Sequence, residues 1–175
     1  MITISKALSG DEEEIYAIYD SLKGSPGCTW DNEYPTLEFV RHDIVERDSL
    51  YKLTDNGRII AAAYLGDFEE IERPDCFSIS IKRLGELSRV GVCREYQRQG
   101  YASRLIMFLL DEAKKQDYDG IGLLVGTENH NAMALYDKMG FRRAGETFLY
   151  ETHWFCYEKI IGSETHLKAA SSENV

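Results

Sequence analysis

"VGVCREYQRQGYASRLIMFLLDEAKK", Val90 to Lys115, joins an alternating segment to a helix-periodic one through a polar turn with a single glycine after the strand. Ala102, Leu105, Ile106, Leu109, Leu110 and Ala113 recur at i, i+3, i+4, i+7, i+8 and i+11, which predicts a helix from about Tyr101 to Gln116 with one face on a core. The start of a helix leaves its first N–H groups without partners and carries the positive end of the macrodipole. Gly100, lacking a Cβ, permits a ligand to approach that backbone closely, and Gln97, Arg98, Gln99 and Arg104 add donors. Strand, glycine turn and helix start make a candidate anion cradle, with an ordinary connecting turn as the competing reading. The stretch lacks the GKS or GKT ending of a nucleotide P-loop and the glycines of a GxGxxG fingerprint.

The flanking segments place this unit in a mixed α/β chain. Upstream, Ile2 to Lys6 alternates as a short strand. "SGDEEEIYAIYDSLK" reads as a helix with Ser9 as cap, an acidic first turn, and Ile15, Ile18, Tyr19 and Leu22 facing inward. "GSPG" ends it, and an aromatic loop leads to Pro35, suited to the first position of a helix bearing Leu37, Val40 and Ile44. "LYKLT", a turn at Asp55 to Gly57 and "RIIAAAYLG" form a hairpin. The acidic "DFEEIERPD" separates it from strands predicted at Phe77 to Ile81 and Glu86 to Val92. Downstream, "GIGLLVG" is a buried strand, Asn131 to Met139 a helix ended by Gly140, and two further strands lie near Phe141 to Glu146 and Trp154 to Ile161.

Composition narrows the class. A chain of 175 residues suits one domain, with 43% hydrophobic and 29% charged residues. No run of about 18 apolar residues is present, and the start lacks the pattern of a secretory signal, so a cytoplasmic location is expected, without membrane contact. The net charge of −10 disfavours nucleic acid. Cys28, Cys76, Cys93 and Cys156 are scattered without metal-ligand spacing; reduced thiols and no metal are expected. The domain is expected over residues 1–161, with 162–175 as a polar, flexible tail. A homodimer is compatible with these features.

A second motif gives the cradle a context. "NHNAMALYDKMGF", Asn129 to Phe141, follows the buried strand, and Ala132, Leu135, Tyr136 and Met139 share one helical stripe. The two motifs together resemble the GNAT superfamily of acyl-CoA-dependent N-acetyltransferases: Gln97, Gly100 and Ala102 match its Q/R-x-x-G-x-G/A segment, and Asn129, Ala132, Leu135, Tyr136, Gly140 and Phe141 its second segment. The resemblance is carried by motifs between Glu86 and Glu146, and elsewhere by element order. It implies a single α/β domain with a mixed, mostly antiparallel, splayed sheet of about seven strands and four helices.

It implies further that acetyl-CoA is the co-substrate and that the chain transfers acetyl to a primary amine of a small molecule or peptide. The pyrophosphate cradle would be Arg98, Gln99, Gly100, Tyr101, Ala102 and Ser103, with Gln97 and Asn129 beside it. Val90, Gly91 and Val92 would meet the pantetheine arm, with a bulge at Gly91 and the Val92 N–H facing the oxyanion. Tyr136 would protonate the leaving thiolate, although a buried core tyrosine is the plain alternative. Glu86 matches by spacing the glutamate of the histone-acetylating branch and is the candidate base, with a strand-end ion pair to Arg83 or Arg89 as its alternative. Its even offset from Val92 would put both side chains on one sheet face unless a bulge intervenes. Some ribosomal-protein acetyltransferases of the superfamily it resembles carry a glutamate on the next strand, where this chain has Leu124. The first helix–loop–helix would place Trp30, Glu33 and Tyr34 around the acceptor. A non-catalytic acyl-CoA-binding module and an acidic adaptor are the competing functions; an intact Tyr136 favours the enzyme.

Overall fold

The computed structural model describes residues 1–68 and 73–162. In chain order the elements are β1 (Ile2–Lys6), α1 (Glu12–Leu22), α2 (Leu37–Val45), β2 (Leu50–Asp55), β3 (Arg58–Gly66), β4 (Leu84–Val92), α3 (Tyr101–Lys115), β5 (Gly120–Gly126), α4 (His130–Lys138), β6 (Arg142–Leu149) and β7 (Thr152–Ile160). The strands form one 7-stranded sheet in the order β1-β2-β3-β4-β5-β7-β6. Every pairing is antiparallel except β4 with β5. The sheet is open and mixed, as the element order predicts. Among the described residues no helix is long and apolar enough to cross a membrane. Residues 163–175, which hold most of the expected tail, and the centre of the acidic segment lie outside the described residues.

The helices pack as their apolar stripes dictate. α1 buries Ile15, Ile18, Tyr19 and Leu22, and α3 buries Leu105, Ile106, Leu109, Leu110 and Ala113. α1 begins after Asp11 rather than Ser9, and the Asp11 carboxylate accepts the Leu8 N–H at 2.7 Å. Pro35 precedes α2, whose cap is Thr36: its hydroxyl accepts the Phe39 N–H at 3.3 Å. Gly140, at φ 78°, follows α4 where a left-handed residue ends the helix.

Two expectations are corrected. Phe77 to Ile81 is not a strand but a run of turns lying across the sheet. Alternation would put Ile79 on the same side as Phe77 and Ile81, yet those two are buried and Ile79 is 90% exposed. The space is supplied by glycines of β5: a Cβ at Gly122 would lie 2.9 Å from the Phe77 ring, and one at Gly120 2.8 Å from Ile81. The Glu158 carboxylate pins the same segment by accepting from the Ser78 N–H at 2.8 Å and from the Ser78 hydroxyl. The second correction concerns the thiols. Cys76 and Cys156 form a disulfide across 80 residues, with Cα atoms 6.2 Å apart, because the turn segment lies directly over β7. Cys28 and Cys93 are free.

Candidate active site

The sheet opens between β4 and β5. Their parallel pairing covers Leu84↔Gly120, Gly85↔Ile121 and Glu86↔Gly122 and then stops. Beyond it β4 stays with β3, through Gly91↔Ala62 and Val92↔Ala61, while β5 stays with β7 as far as Gly126↔Trp154. A cleft follows, edged by backbone groups that the ladders leave unpaired. The Cys93 N–H bonds back to the Ile60 carbonyl at 2.8 Å. Successive N–H groups of a strand alternate in direction, so the Val92 N–H points away from β3, into the opening.

The bulge behind this divergence is at Arg89, not Gly91. Register shifts between Ala62 and Tyr64, which oppose Gly91 and Ser88, and Arg89 adopts φ 50°. The bulge turns the strand over. A Cβ at Gly85 would meet Tyr118 and Ile121, whereas one at Gly91, an even number of residues on, would meet Tyr19 and Leu22 of α1. The expectation that Glu86 and Val92 share a face therefore fails. Gly91 is required by the Tyr19 ring, 2.9 Å from where its Cβ would be.

Below the opening stands the start of α3. Gly100 is its cap at φ 84°, a conformation glycine adopts freely, and a Cβ there would meet nothing within 4 Å. The Arg104 N–H makes the first bond, to the Gly100 carbonyl at 3.0 Å, so the N–H groups of Tyr101, Ala102 and Ser103 have no partner within the helix. The two glutamines turn away from this end. Gln97 Nε2 donates to the Val92 carbonyl at 3.1 Å and Gln99 Nε2 to the Glu95 carbonyl at 2.9 Å, bracing the 3₁₀ turn Arg94–Tyr96. Arg98 is exposed, at φ 58°. Open space, free N–H groups and a positive helix end fit a diphosphate, and backbone rather than side chains would hold it.

On the other wall, α4 starts from Asn129, whose side-chain oxygen accepts the Ala132 N–H at 3.1 Å; that oxygen is a helix cap. Tyr136 is buried, edge-on to Phe141 at 5.6 Å and close to Tyr157 at 6.3 Å. Burial alone pushes its phenol above the ordinary range, so it keeps its proton at neutral pH.

The face covered by α1 and α2 is built differently. Trp30 packs edge-on against Tyr19 at 5.1 Å. Asp31 closes the loop by accepting the N–H groups of Glu33 and Tyr34 at 2.8 and 3.1 Å, which leaves Glu33 exposed. The Tyr34 hydroxyl accepts from Arg89 Nη1 at 2.7 Å, and Arg89 Nε donates to Asp43 Oδ2 of α2 at 2.8 Å. Glu86 lies beside this cluster. Burial raises its carboxyl above the usual carboxylate range, and the Arg89 charge offsets part of that rise. Arg83, the other partner considered for Glu86, instead donates to the Gln116 carbonyl at 2.6 Å and lies over Tyr118. Sequence reading missed Asp43. Its signal is a carboxylate inside the apolar stripe of α2, between Val40 and Ile44, which requires a buried cation opposite.

The chain belongs to the GNAT acetyltransferase family, whose model matches residues 15–141. It is similar to human N-acetyltransferase 8, 42% identical over 67 residues that cover 38% of this chain and 29% of the human protein. It is also similar to the [ribosomal protein bS18]-alanine N-acetyltransferase of Escherichia coli (strain K12), 33% identical over 101 residues, 57% of this chain and 58% of that one. The crystal structure of the Escherichia coli ribosomal-protein-S18-alanine N-acetyltransferase superposes with a TM-score of 0.71 at 24% identity, over 93% of this chain and 96% of that one. An N-acetyltransferase from Staphylococcus aureus Mu50 gives 0.73 at 21% identity, over 93% and 99%. At these identities the superpositions establish the fold.

Proposed function

We propose that the chain transfers the acetyl group of acetyl-CoA to a primary amine of a small molecule, peptide or protein, by direct attack within a ternary complex. The observation that carries this reading is the opening between β4 and β5, together with a start of α3 whose first N–H groups have no partner within the helix. Acetyl-CoA supplies the activated acyl group. The residues at Tyr101 to Ser103 would hold its pyrophosphate, with Gly100 keeping the approach clear. The free edge at Val90, Gly91 and Val92 would take the pantetheine amides as an added strand, and the Val92 N–H would face the developing oxyanion. Tyr136 would give its proton to the leaving thiolate. Glu86 would take the proton of the amine, directly or through water.

An acetyl intermediate on Cys93 is disfavoured by the setting of that residue. Its thiol faces the Ile59 carbonyl at 3.9 Å, and burial raises its pKa, so it is neither ionised nor aimed into the opening. The proposed acceptor side is walled by Trp30, Glu33 and Tyr34, acidic and aromatic, which suits a cationic amine. A cytoplasmic location is part of the proposal; reducing compartments keep thiols reduced, so a Cys76–Cys156 bond found intact in protein isolated from cells would argue against that part. The experiment is release of free thiol from acetyl-CoA with a panel of amines, beside a coenzyme A binding titration. Turnover with at least one amine supports the enzyme. Binding without turnover on a broad panel would replace it by an acyl-CoA-binding module.

A further inference from the structure

The bulge residue makes contacts that neither the cradle nor the proton transfers account for. Arg89 is buried at positive φ, a conformation costly for a residue with a Cβ. Its guanidinium reaches three other elements. Nε and Nη2 each lie 2.8 Å from Asp43 Oδ2 on α2, Nη1 donates to the Tyr34 hydroxyl at 2.7 Å, and the group lies 4.5 Å from the Tyr64 ring centroid on β3. Asp43 is fully buried as well. An apolar pair of the same volume would serve stability as well as or better than such an ion pair, so stability alone does not explain it.

We propose that Arg89 is a positioning residue for acetyl transfer: braced by Asp43, its fork fixes the Tyr34 end of the acceptor loop and sets a positive charge beside Glu86. The second half rests on the reading of Glu86 as the base. Glu86 is faced by Arg89 and Ser88 from its own strand, by Asp43 and Arg47 from α2, by Tyr34 from the acceptor loop and by Tyr64 from β3. Asp43 is committed to Arg89 through one oxygen, and Arg47 lies 3.9 Å from the other. Among these groups Arg89 is the main counterweight to the burial of Glu86. Without it the carboxyl would keep its proton to a higher pH. The same guanidinium holds the Tyr34 end of the loop, so the charge beside Glu86 and the wall are set by one residue.

The test pairs Arg89→Met with Asp43→Leu, which removes both members of the ion pair together, while Arg47 loses its longer contact with Asp43. The Glu86 carboxyl is followed by 13C NMR in the protein without ligand, its signal assigned by absence in Glu86→Gln. We expect its titration midpoint to rise by about one pH unit or more in the double variant, and the acidic limb of kcat/KM for a single amine to move with it. Arg89→Lys, which keeps the charge but loses the fork, should leave the midpoint nearly in place and raise the acceptor KM several-fold, with the KM for acetyl-CoA unchanged. An unmoved midpoint in the folded double variant overturns the proposal. If the double variant does not fold, Arg89→Lys and Tyr34→Phe decide: acting through one link, their effects on acceptor KM should not add, and additive effects overturn the proposal. Failure of the base reading is distinct, because Glu86→Gln would then keep its acidic limb.

Discussion

The two sides of the β4–β5 opening are made of different material. On the α3 side the available groups are backbone N–H donors at an exposed helix end, and the nearby side chains of Gln97 and Gln99 are turned back to hold the turn. On the α2 side the available groups are side chains, Glu86, Arg89, Asp43 and Tyr34, largely withdrawn from water. A backbone site is sensitive to the path of the chain and indifferent to most side chains. A buried side-chain site is the reverse, since each charge there depends on its partner. Substitutions should therefore separate the two sides, one changing coenzyme A affinity and the other the acceptor and the pH dependence.

The largest effect is expected where the sides meet. Tyr136→Phe keeps the packing on Phe141 and removes the proton, so kcat should fall by about 10²- to 10⁴-fold with coenzyme A affinity unchanged. An unaltered single-turnover rate would return Tyr136 to the core. Next is the disulfide over β7. Replacing Cys76 and Cys156 by serine removes a cross-link spanning 80 residues, and urea unfolding should show a loss of about 2–4 kcal/mol. Coenzyme A binding should not follow. If it does, the cross-link also supports the coenzyme A site.

On the cofactor side, Gly100→Val forces a β-branched residue into φ 84° and aims its side chain at the proposed diphosphate. Affinity should drop by about one to two orders of magnitude, or roughly 1–3 kcal/mol, and Gly100→Ala should fall between. Normal binding by the folded valine variant would reduce this stretch to a turn. The smallest effect is on stability at Glu86. Its carboxyl is raised in the folded state, so between the unfolded and folded pKa values the folded state holds more protons and loses stability as pH rises. Glu86→Gln should then match the native protein in acid and become more stable above that window, by about 1.4 kcal/mol for each tenfold weakening of the acid on folding. Thermal unfolding at pH 4 and pH 8, about the ends of the range over which a buried carboxylate titrates, would show this. An equal difference at both ends would mean that Glu86 is not perturbed.

The same division explains what the sequence made legible. Gly100, the stripe of α3 and the Asn129 to Phe141 motif are local signals, and the structure places them where their spacing predicts. Trp30, Glu33 and Tyr34 do fall in one loop on the α2 side. The bulge could not be assigned, because Gly91 is explained by a long-range contact, the Tyr19 ring, and Arg89 bears no local mark of its positive φ. Phe77 to Ile81 alternates like a strand, and only the glycines of β5, about forty residues on, reveal that it packs across a sheet face instead. Cys76 and Cys156 meet for the same reason, since no spacing rule links residues brought together by a turn segment and the penultimate strand of a hairpin-joined sheet edge.

Both sides have a role only if coenzyme A lies between β4 and β5 with its diphosphate on α3. A two-dimensional 15N–1H titration of the native protein with coenzyme A tests that placement directly. The amide signals of Tyr101, Ala102 and Ser103 should move first, together with that of Val92, with little change along β1. A cavity of about 490 Å³ between β1 and α3 is lined by Ile2, Ile4, Met107 and Phe108, and it reaches the helix start at Gly100, Ser103 and Arg104. Shifts concentrated at Ile2, Ile4, Met107 and Phe108, with Val92 and Ala102 unmoved, would put coenzyme A between β1 and α3 and contradict the placement.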